Sequence, residues 1–229
     1  MTMPAIKAEA FLANVALFRE LAPPEMARIA AHTRQLRAER GDTLFHRGDA
    51  ATGMYVIVYG RVKLAFSSPR GDEKVVDILG PGQSFGDAVM FLERDHMVGA
   101  QALEDSLLLF VARSAVFEEL ERDPNFARRI IGGLAKRLHH RVIDLESISM
   151  HSGAQRVIGY LLNEAGDPAS GGPIEITLPT TKGVIASRLN LTQEHFSRIL
   201  HELSSSGLIA VQGRSITLRD LDRLKTYTD

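Results

Sequence analysis

The feature that most constrains this chain is a change of period. From about Gly41 to Phe117, short runs rich in Val, Ile and Tyr (Met54–Val58, Val62–Phe66, Val75–Leu79) are separated by Gly-Asp, Tyr-Gly, Arg-Gly-Asp and Gly-Pro-Gly. Such runs, spaced by tight turns, predict strands that close on themselves as an all-β roll or barrel. Ahead of them, Pro23-Pro24-Glu25-Met26 opens a short helix, because proline suits a first helical turn. After Asp123-Pro124, Ile131, Leu134, Leu138, Leu145 and Ile148 recur at helical spacings, with Arg141 in the missing heptad position. That predicts one long helix with a coiled-coil-like seam. Either the helix packs on its own β domain or, as its length and the continuing stripe favour, two copies meet along that seam as a two-fold dimer, in which Gly132-Gly133 allows close approach of the partner helix.

A third texture begins at Ser152. Val157-Ile158 and Leu161-Leu162 predict an amphipathic helix ending near Gly166, and Ile174–Leu178 alternates like a short strand. The expected organisation is therefore α+β: a β-roll with a helical preface over 1–124, a dimerisation helix over 125–151, and a third domain over 152–229.

Composition narrows the function classes. Among 229 residues there is no Cys, which removes disulfides, thiolate zinc sites, cysteine nucleophiles and Cys-ligated iron–sulfur clusters. No apolar run approaches the ~20 residues that cross a bilayer, and the charged N-terminus lacks a signal-peptide core, so a cytoplasmic protein with no membrane partner is expected. Charge is unevenly spread: 14 basic against 18 acidic residues over 1–124, 5 against 2 over 125–151, and 8 against 8 over 152–229. No stretch is a polycationic tail, so any DNA binding needs a shaped site with locally placed cations. No phosphate loop, nucleophile elbow or paired-His zinc helix is present, and an enzyme is not expected. Arg70-Gly71-Asp72 reads as a turn, and Glu93–His96 as a charged hairpin tip.

The most specific signal is Thr181–Leu203, TKGVIASRLNLTQEHFSRILHEL. Val184, Ile185 and Leu189 mark one short helix; Asn190 can turn through left-handed geometry; Thr192 caps a second helix whose apolar face is Phe196, Ile199, Leu200 and Leu203. Two short helices across such a turn form a helix-turn-helix, whose second helix enters the major groove. Its exposed positions carry Gln193, Glu194, Ser197 and Arg198: Arg forks onto guanine, Glu accepts from cytosine, and Ser and Gln adapt. A hairpin follows, Leu208–Val211 and Ser215–Leu218 around Gln212-Gly213-Arg214, a wing that offers Arg214 to a phosphate.

A β-roll, a long helix and a winged helix-turn-helix, in that order over about residues 15–225, resemble the cyclic-AMP receptor/FNR superfamily of bacterial transcription regulators. The resemblance implies a jelly roll like a cyclic-nucleotide-binding domain, a homodimer, a double-stranded DNA palindrome and RNA polymerase as partners. Glu194-His-Phe-Ser197-Arg198 has the E-x-x-S-R form of the FNR branch, which reads TTGAT repeated as an inverted ATCAA. By that likeness Arg198 pairs with guanine, Glu194 accepts from cytosine on the opposite strand, Ser197 contributes at thymine, and Thr192 and Gln193 flank them.

The same likeness bears on the effector. The family's nucleotide cassette is a Gly-Glu pair and, some way on, an Arg-Ser that holds the cyclic phosphate. Here Gly86-Asp87 fills the first half and the spacing assigns Met97-Val98 to the second, so cyclic AMP is not expected. An iron–sulfur cluster is excluded by the missing cysteines. What remains resembles the Cys-free DNR/NNR-type regulators of denitrification, associated with haem and nitric oxide, and this implies an activator of anaerobic or nitrogen-oxide respiration genes. A pocket lined by Phe85, Phe91, Met97, Leu134 and Leu138 would suit haem or another small apolar effector. His96, His139 and His140 are the candidate iron ligands; the last two are adjacent on a helix and point ~100° apart, so they cannot clamp one metal together. The rival reading is a ligand-binding module that acts on a protein partner without touching DNA.

Overall fold

The computed structural model describes residues 7–19, 21–67, 73–150, 152–166 and 172–227; nothing is described of the side chains of Lys136, Arg137 and 140–150. Contacts divide the chain into two compact units, Met1–His140 and Arg141–Asp229. Among the described residues no helix is long and apolar enough to cross a membrane.

The first unit starts with α1 (Ala8–Leu12) and α2 (Pro23–Ala31), followed by β1 (Thr33–Ala38), β2 (Thr43–Phe45), β3 (Gly53–Tyr59), β4 (Val62–Ser67), β5 (Glu73–Leu79) and β6 (Ser84–Phe85). Then come α3 (Asp87–Phe91), β7 (Gly99–Ala102), β8 (Ser106–Ala112), α4 (Arg113–Arg122) and α5 (Pro124–Met150), whose residues beyond His140 belong to the second unit. The strands make two antiparallel four-stranded sheets, β1-β8-β3-β6 and β2-β7-β4-β5. The expected roll is present, and it extends past the predicted bounds at its N-terminal side, where β1 begins at Thr33.

Strand alternation explains how the sheets meet. Ala38, Phe45, Ile57, Val62, Leu79, Phe85, Ala100, Ala102 and Leu108 come from both sheets and share one buried cluster, so these are the inward faces. On β3 and β8 the opposite faces, Met54 and Val56 with Leu109 and Val111, are buried against Met26 and Ile29 of α2, Val116 of α4, and Phe126 and Ile130 of α5. A strand packed on both sides reads as a continuous apolar run, as Leu107–Val111 does. Residues 113–117, placed at the end of the β texture by sequence, instead open α4, which runs to Arg122.

Charged residues tie the helices together at one end of this layer. Arg28 Nε and Nη2 donate to the two oxygens of buried Glu119 at 2.5 and 2.6 Å, and Arg122 Nη1 donates to Oε1 at 3.1 Å. Arg129 bonds Glu25, whose Oε2 also accepts from the Ala22 N–H and caps α2. The Arg28 hydrogen bond holds the Glu119 carboxyl below its ordinary value. Asp123 is also held low, chiefly by the Asn125 N–H that it accepts at the start of α5.

α5 packs on its own roll through Phe126 and Ile130, which the heptad pattern did not include, and through Leu134, which it did. Phe126 and Ile130 are fully buried, and Leu134 is partly buried on the same cluster. The N-terminal segment contributes Leu12, Val15, Leu17 and Phe18 to that cluster. It crosses α5 at Gly133, where an added Cβ would stand 3.1 Å from the Leu17 Cα and 3.4 Å from the Ala16 carbonyl oxygen. Gly133 thus serves close approach to the chain's own N-terminal segment, whereas Gly132 has nothing within 4 Å. This corrects the expectation that both glycines admit a partner helix.

The second unit contains α6 (Gly153–Ala165), β9 (Ile174–Thr177), α7 (Lys182–Arg188), α8 (Gln193–Ser205), β10 (Ile209–Gln212), β11 (Ser215–Leu218) and α9 (Leu221–Lys225). Its sheet is β10-β11-β9, antiparallel throughout. Ser152 caps α6 by accepting from the Gln155 N–H, while Gln155 Oε1 accepts from the Ser152 N–H, a reciprocal capping box.

Candidate nucleic-acid interface

The second unit carries the expected helix-turn-helix. Thr181 Oγ1 accepts from the Val184 N–H at 3.4 Å and caps α7, and Thr192 Oγ1 accepts from the His195 N–H at 3.2 Å and caps α8. Between them Asn190 stands at φ 56°, the left-handed conformation that Asn tolerates better than most non-glycine residues. Phe196, Ile199, Leu200 and Leu203 bury one face of α8, while Ile185 and Ala186 are buried on α7.

The other face of α8 is open. Glu194, Arg198, His201 and Glu202 are exposed and Ser197 is half-buried, all on one stripe at three- and four-residue spacing. Arg198 is 66% exposed and stands 3.8 Å from Glu202, so its guanidinium is loosely held on the surface. The stripe brings Glu194, Ser197 and Arg198 together as the spacing implied. Gln193 departs from it: its Oε1 lies 2.8 Å from where a Gly183 Cβ would stand, so the amide rests on the start of α7. His201, three residues beyond Arg198, shares the stripe and is exposed. His195 is half-buried beside Gly153, where an added Cβ would be 3.2 Å from its ring.

β10 and β11 form the wing, joined through Gly213 at φ 60° and Arg214. Arg214 Nε and Nη2 donate to the Leu178 carbonyl at 2.9 and 2.6 Å, and the Leu178 N–H donates back to the Arg214 carbonyl at 2.8 Å. The side chain expected to face a phosphate therefore braces the wing against the end of β9, and only its remaining N–H donors are available outward.

Two further sets of expected residues lie on α5 and in the roll. On α5, Ile131 and Leu138 are 64% and 66% exposed, seven residues apart, with Ala135 exposed between them. Leu134 leaves the expected seam, because it turns to the roll; Leu145 and Ile148 lie outside the described side chains. The expected effector pocket is not assembled either. Phe85 packs in the roll interior, Phe91 and Leu134 pack on the helical layer, and Met97 and Leu138 are exposed.

The remnant of the nucleotide cassette is arranged differently from its spacing. Gly86 at φ 82° leads into α3, and Asp87 is buried with its Oδ1 accepting from the Ala88 N–H. A Cβ at Gly86 would stand 3.5 Å from the Gly53 carbonyl oxygen, 3.5 Å from His96 Cε1 and 3.6 Å from Tyr55, while Met97 is 61% exposed and Val98 half-buried. Met97 and Val98, the residues that the spacing assigns to the Arg-Ser half of the cassette, thus have no cationic side chain to offer and do not meet Gly86. His96 is 5% exposed and stacks on Phe45 at 3.6 Å between ring centroids and 10° between planes. Burial pushes its imidazole below the ordinary value, opposed by the charges of Asp49 and Asp95. His139 is exposed on α5, and His140 lies outside the described side chains. No three His, Cys, Asp or Glu residues among the described ones come together as a metal site.

The comparisons with known proteins follow this geometry. The cyclic nucleotide-binding domain family matches residues 35–123 and the Crp-like helix-turn-helix domain family matches residues 155–227, in the order of the two structural units. The chain belongs to the CRP/FNR family. It is similar to a CRP-like cAMP-activated global transcriptional regulator of Mycobacterium tuberculosis, 25% identical over 215 residues that cover 93% of this chain and 96% of that one. It is also similar to the fumarate and nitrate reduction regulatory protein of Salmonella typhimurium, 28% identical over 189 residues, 81% of this chain and 75% of that one. The crystal structure of DNR from Pseudomonas aeruginosa superposes with a TM-score of 0.57 at 28% identity, covering 99% of this chain and 100% of that one. As a CRP/FNR protein the chain is a DNA-binding transcription regulator with α+β architecture.

Proposed function

We propose that the chain is a homodimeric regulator that reads a TTGAT-N4-ATCAA palindrome and activates genes of anaerobic or nitrogen-oxide respiration. The observation that carries this reading is the stripe of Glu194, Ser197 and Arg198 on the open face of α8. These side chains supply a cytosine acceptor, an adaptable hydroxyl and a guanine fork. The exposed Ile131, Ala135 and Leu138 on α5 supply an apolar strip for a second copy, which water alone would otherwise cover. Two copies of α8 must reach successive major grooves about one helical turn, ~34 Å, apart. Effector binding in the roll would shift α5 packing and so the spacing of the two recognition helices, with RNA polymerase as the partner that reads the bound dimer.

The relatives named for fumarate and nitrate reduction and as DNR support the respiratory assignment. Cyclic AMP is not the proposed signal, since Met97 and Val98 stand where the cassette's spacing calls for Arg-Ser and neither offers a phosphate a charge-assisted hydrogen bond. Haem-bound nitric oxide rests on the likeness to DNR-type regulators alone. In this conformation the described residues do not fit haem: the apolar residues expected around it are divided between two clusters and the surface, and His96 is stacked. A different small apolar effector is the alternative for the same roll.

Fluorescence anisotropy with the palindrome and a scrambled duplex at matched salt tests the DNA assignment. Tighter binding to the palindrome by roughly a thousandfold or more is expected; equal affinity for both would leave a module acting on a protein partner. Titration with haem, followed at the Soret band, tests the signal. A saturable one-per-chain shift lost in a single His variant establishes haem, and a featureless titration removes it.

A further inference from the structure

The roll has a concave feature at the edge of its aromatic interior, bordered by Phe45. Val62, Ala100 and Ala102 point inward, so the alternating Lys63 and Gln101, which pair across β4 and β7, face outward, with Thr43 of β2 paired to Gln101. There they line a cavity of about 260 Å³. Its mostly apolar wall includes Phe45, and its volume lies just below the roughly 300–1,000 Å³ of sites for drug-sized ligands.

The chemistry of this cavity is set by two cations. The Lys63 side chain is 7% exposed, and its Nζ donates to Glu73 Oε2 at 2.5 Å. An ammonium has three donors, and among the described residues Glu73 is its only acceptor, so two N–H groups of a buried lysine are left for something else. Buried donors without acceptors are rare in folded proteins. Arg47, on the same wall, is exposed and makes no side-chain hydrogen bond or ion pair among the described residues. Lys63 and Arg47 against Glu73 leave one net positive charge. His46 is turned toward Asp49 at 3.8 Å.

We propose that this cavity binds a small monocarboxylate, whose carboxylate accepts from Lys63 Nζ and the Arg47 guanidinium while a short hydrocarbon body lies on the apolar wall. Gln101 and Thr43 would receive a hydroxyl carried by that body. A single net positive charge matches a monoanion, and the apolar wall discriminates against a bare inorganic anion. The cavity borders the inward-facing cluster at Phe45 and Ala100, while its charged groups, Lys63, Arg47 and Glu73, lie outside that cluster.

The test is isothermal titration of the full chain, at constant ionic strength, with butyrate, the uncharged butyramide and inorganic phosphate. Butyrate is expected to saturate at one per chain, with butyramide and phosphate roughly tenfold or more weaker, the loss of charge-assisted bonds. Arg47→Gln and Lys63→Met should each weaken butyrate by roughly the same factor. Should Lys63→Met fail to fold, the exposed Arg47→Gln decides alone. Absence of saturation, butyramide binding as well as butyrate, phosphate binding as well as butyrate, or unchanged affinity in a folded variant would each overturn the proposal.

Discussion

Gly132 and Gly133 are neighbours on α5 that differ in one respect, and this makes them an internal control. Replacing either glycine by alanine removes the same helix-propensity penalty, about 0.8–1.0 kcal/mol in a helix interior. At Gly132 the new methyl meets nothing within 4 Å, so Gly132→Ala should stabilise by roughly that amount. At Gly133 the methyl would stand 3.1 Å from the Leu17 Cα and 3.3 Å from its carbonyl oxygen, closer than carbon comfortably approaches backbone. Leu17 and Phe18 are 5% and 0% exposed, so the segment cannot simply lift away. Overpacking of this kind costs about 1–3 kcal/mol. Because propensity cancels between the two variants, the difference in their stabilities is the contact penalty itself. For a chain of this size about 1 kcal/mol corresponds to roughly 2–4 °C, so Gly133→Ala should melt about 2–12 °C below Gly132→Ala. With no Trp in the chain, far-UV circular dichroism is the probe, at fixed protomer concentration because dimer unfolding depends on it. Equal melting temperatures would refute the close approach of residues 16–17 to α5.

Other positions test separate parts of the structure. Arg198→Ala should weaken the palindrome by about 1–3 kcal/mol per half-site and scrambled DNA little, read by anisotropy; equal losses would remove base reading from Arg198. Leu138→Glu should give monomers in light scattering, whereas Leu134→Glu should lower thermal stability because Leu134 packs on the roll; a persistent Leu138→Glu dimer would refute the apolar strip. Because the Glu119 carboxyl is held below its ordinary 4.5 in the folded state, its contribution is complete above that value and is lost as pH falls through the folded one. Urea midpoints measured from pH 7 down to 3 should therefore fall more steeply for the wild type than for Glu119→Gln, and parallel curves would count against the Arg28–Glu119 pair.

How much was legible depended on whether the deciding contacts were near in sequence. Asn190 and Thr192 dictate a left-handed turn and an N-cap within a few residues, and the period of Phe196, Ile199, Leu200 and Leu203 specifies the buried face of α8. The open stripe of Glu194, Ser197 and Arg198 follows by subtraction, so the candidate DNA-reading face could be placed without tertiary knowledge. The strands of the roll were legible for the same reason, since turn residues and period-2 patterning are local properties.

The faces of α5 were not legible. Phe126, Ile130, Ile131, Leu134 and Leu138 leave apolar residues around more than one side of the helix, and periodicity cannot tell which side a roll will cover. Burial assigns Phe126, Ile130 and Leu134 to the roll and leaves Ile131 and Leu138 outside. Loop geometry between α3 and β7 turns His96, not Met97, toward Gly86, and Arg214 finds the Leu178 carbonyl 36 residues away. What the amino-acid sequence alone determined was the order and type of the elements and the reading face of α8, because propensity, capping and periodicity act over a few residues. Which apolar surface is core, which glycine meets another segment, and which carbonyl Arg214 finds were decided only by tertiary structure, because each depends on what distant residues bring to within a few ångströms.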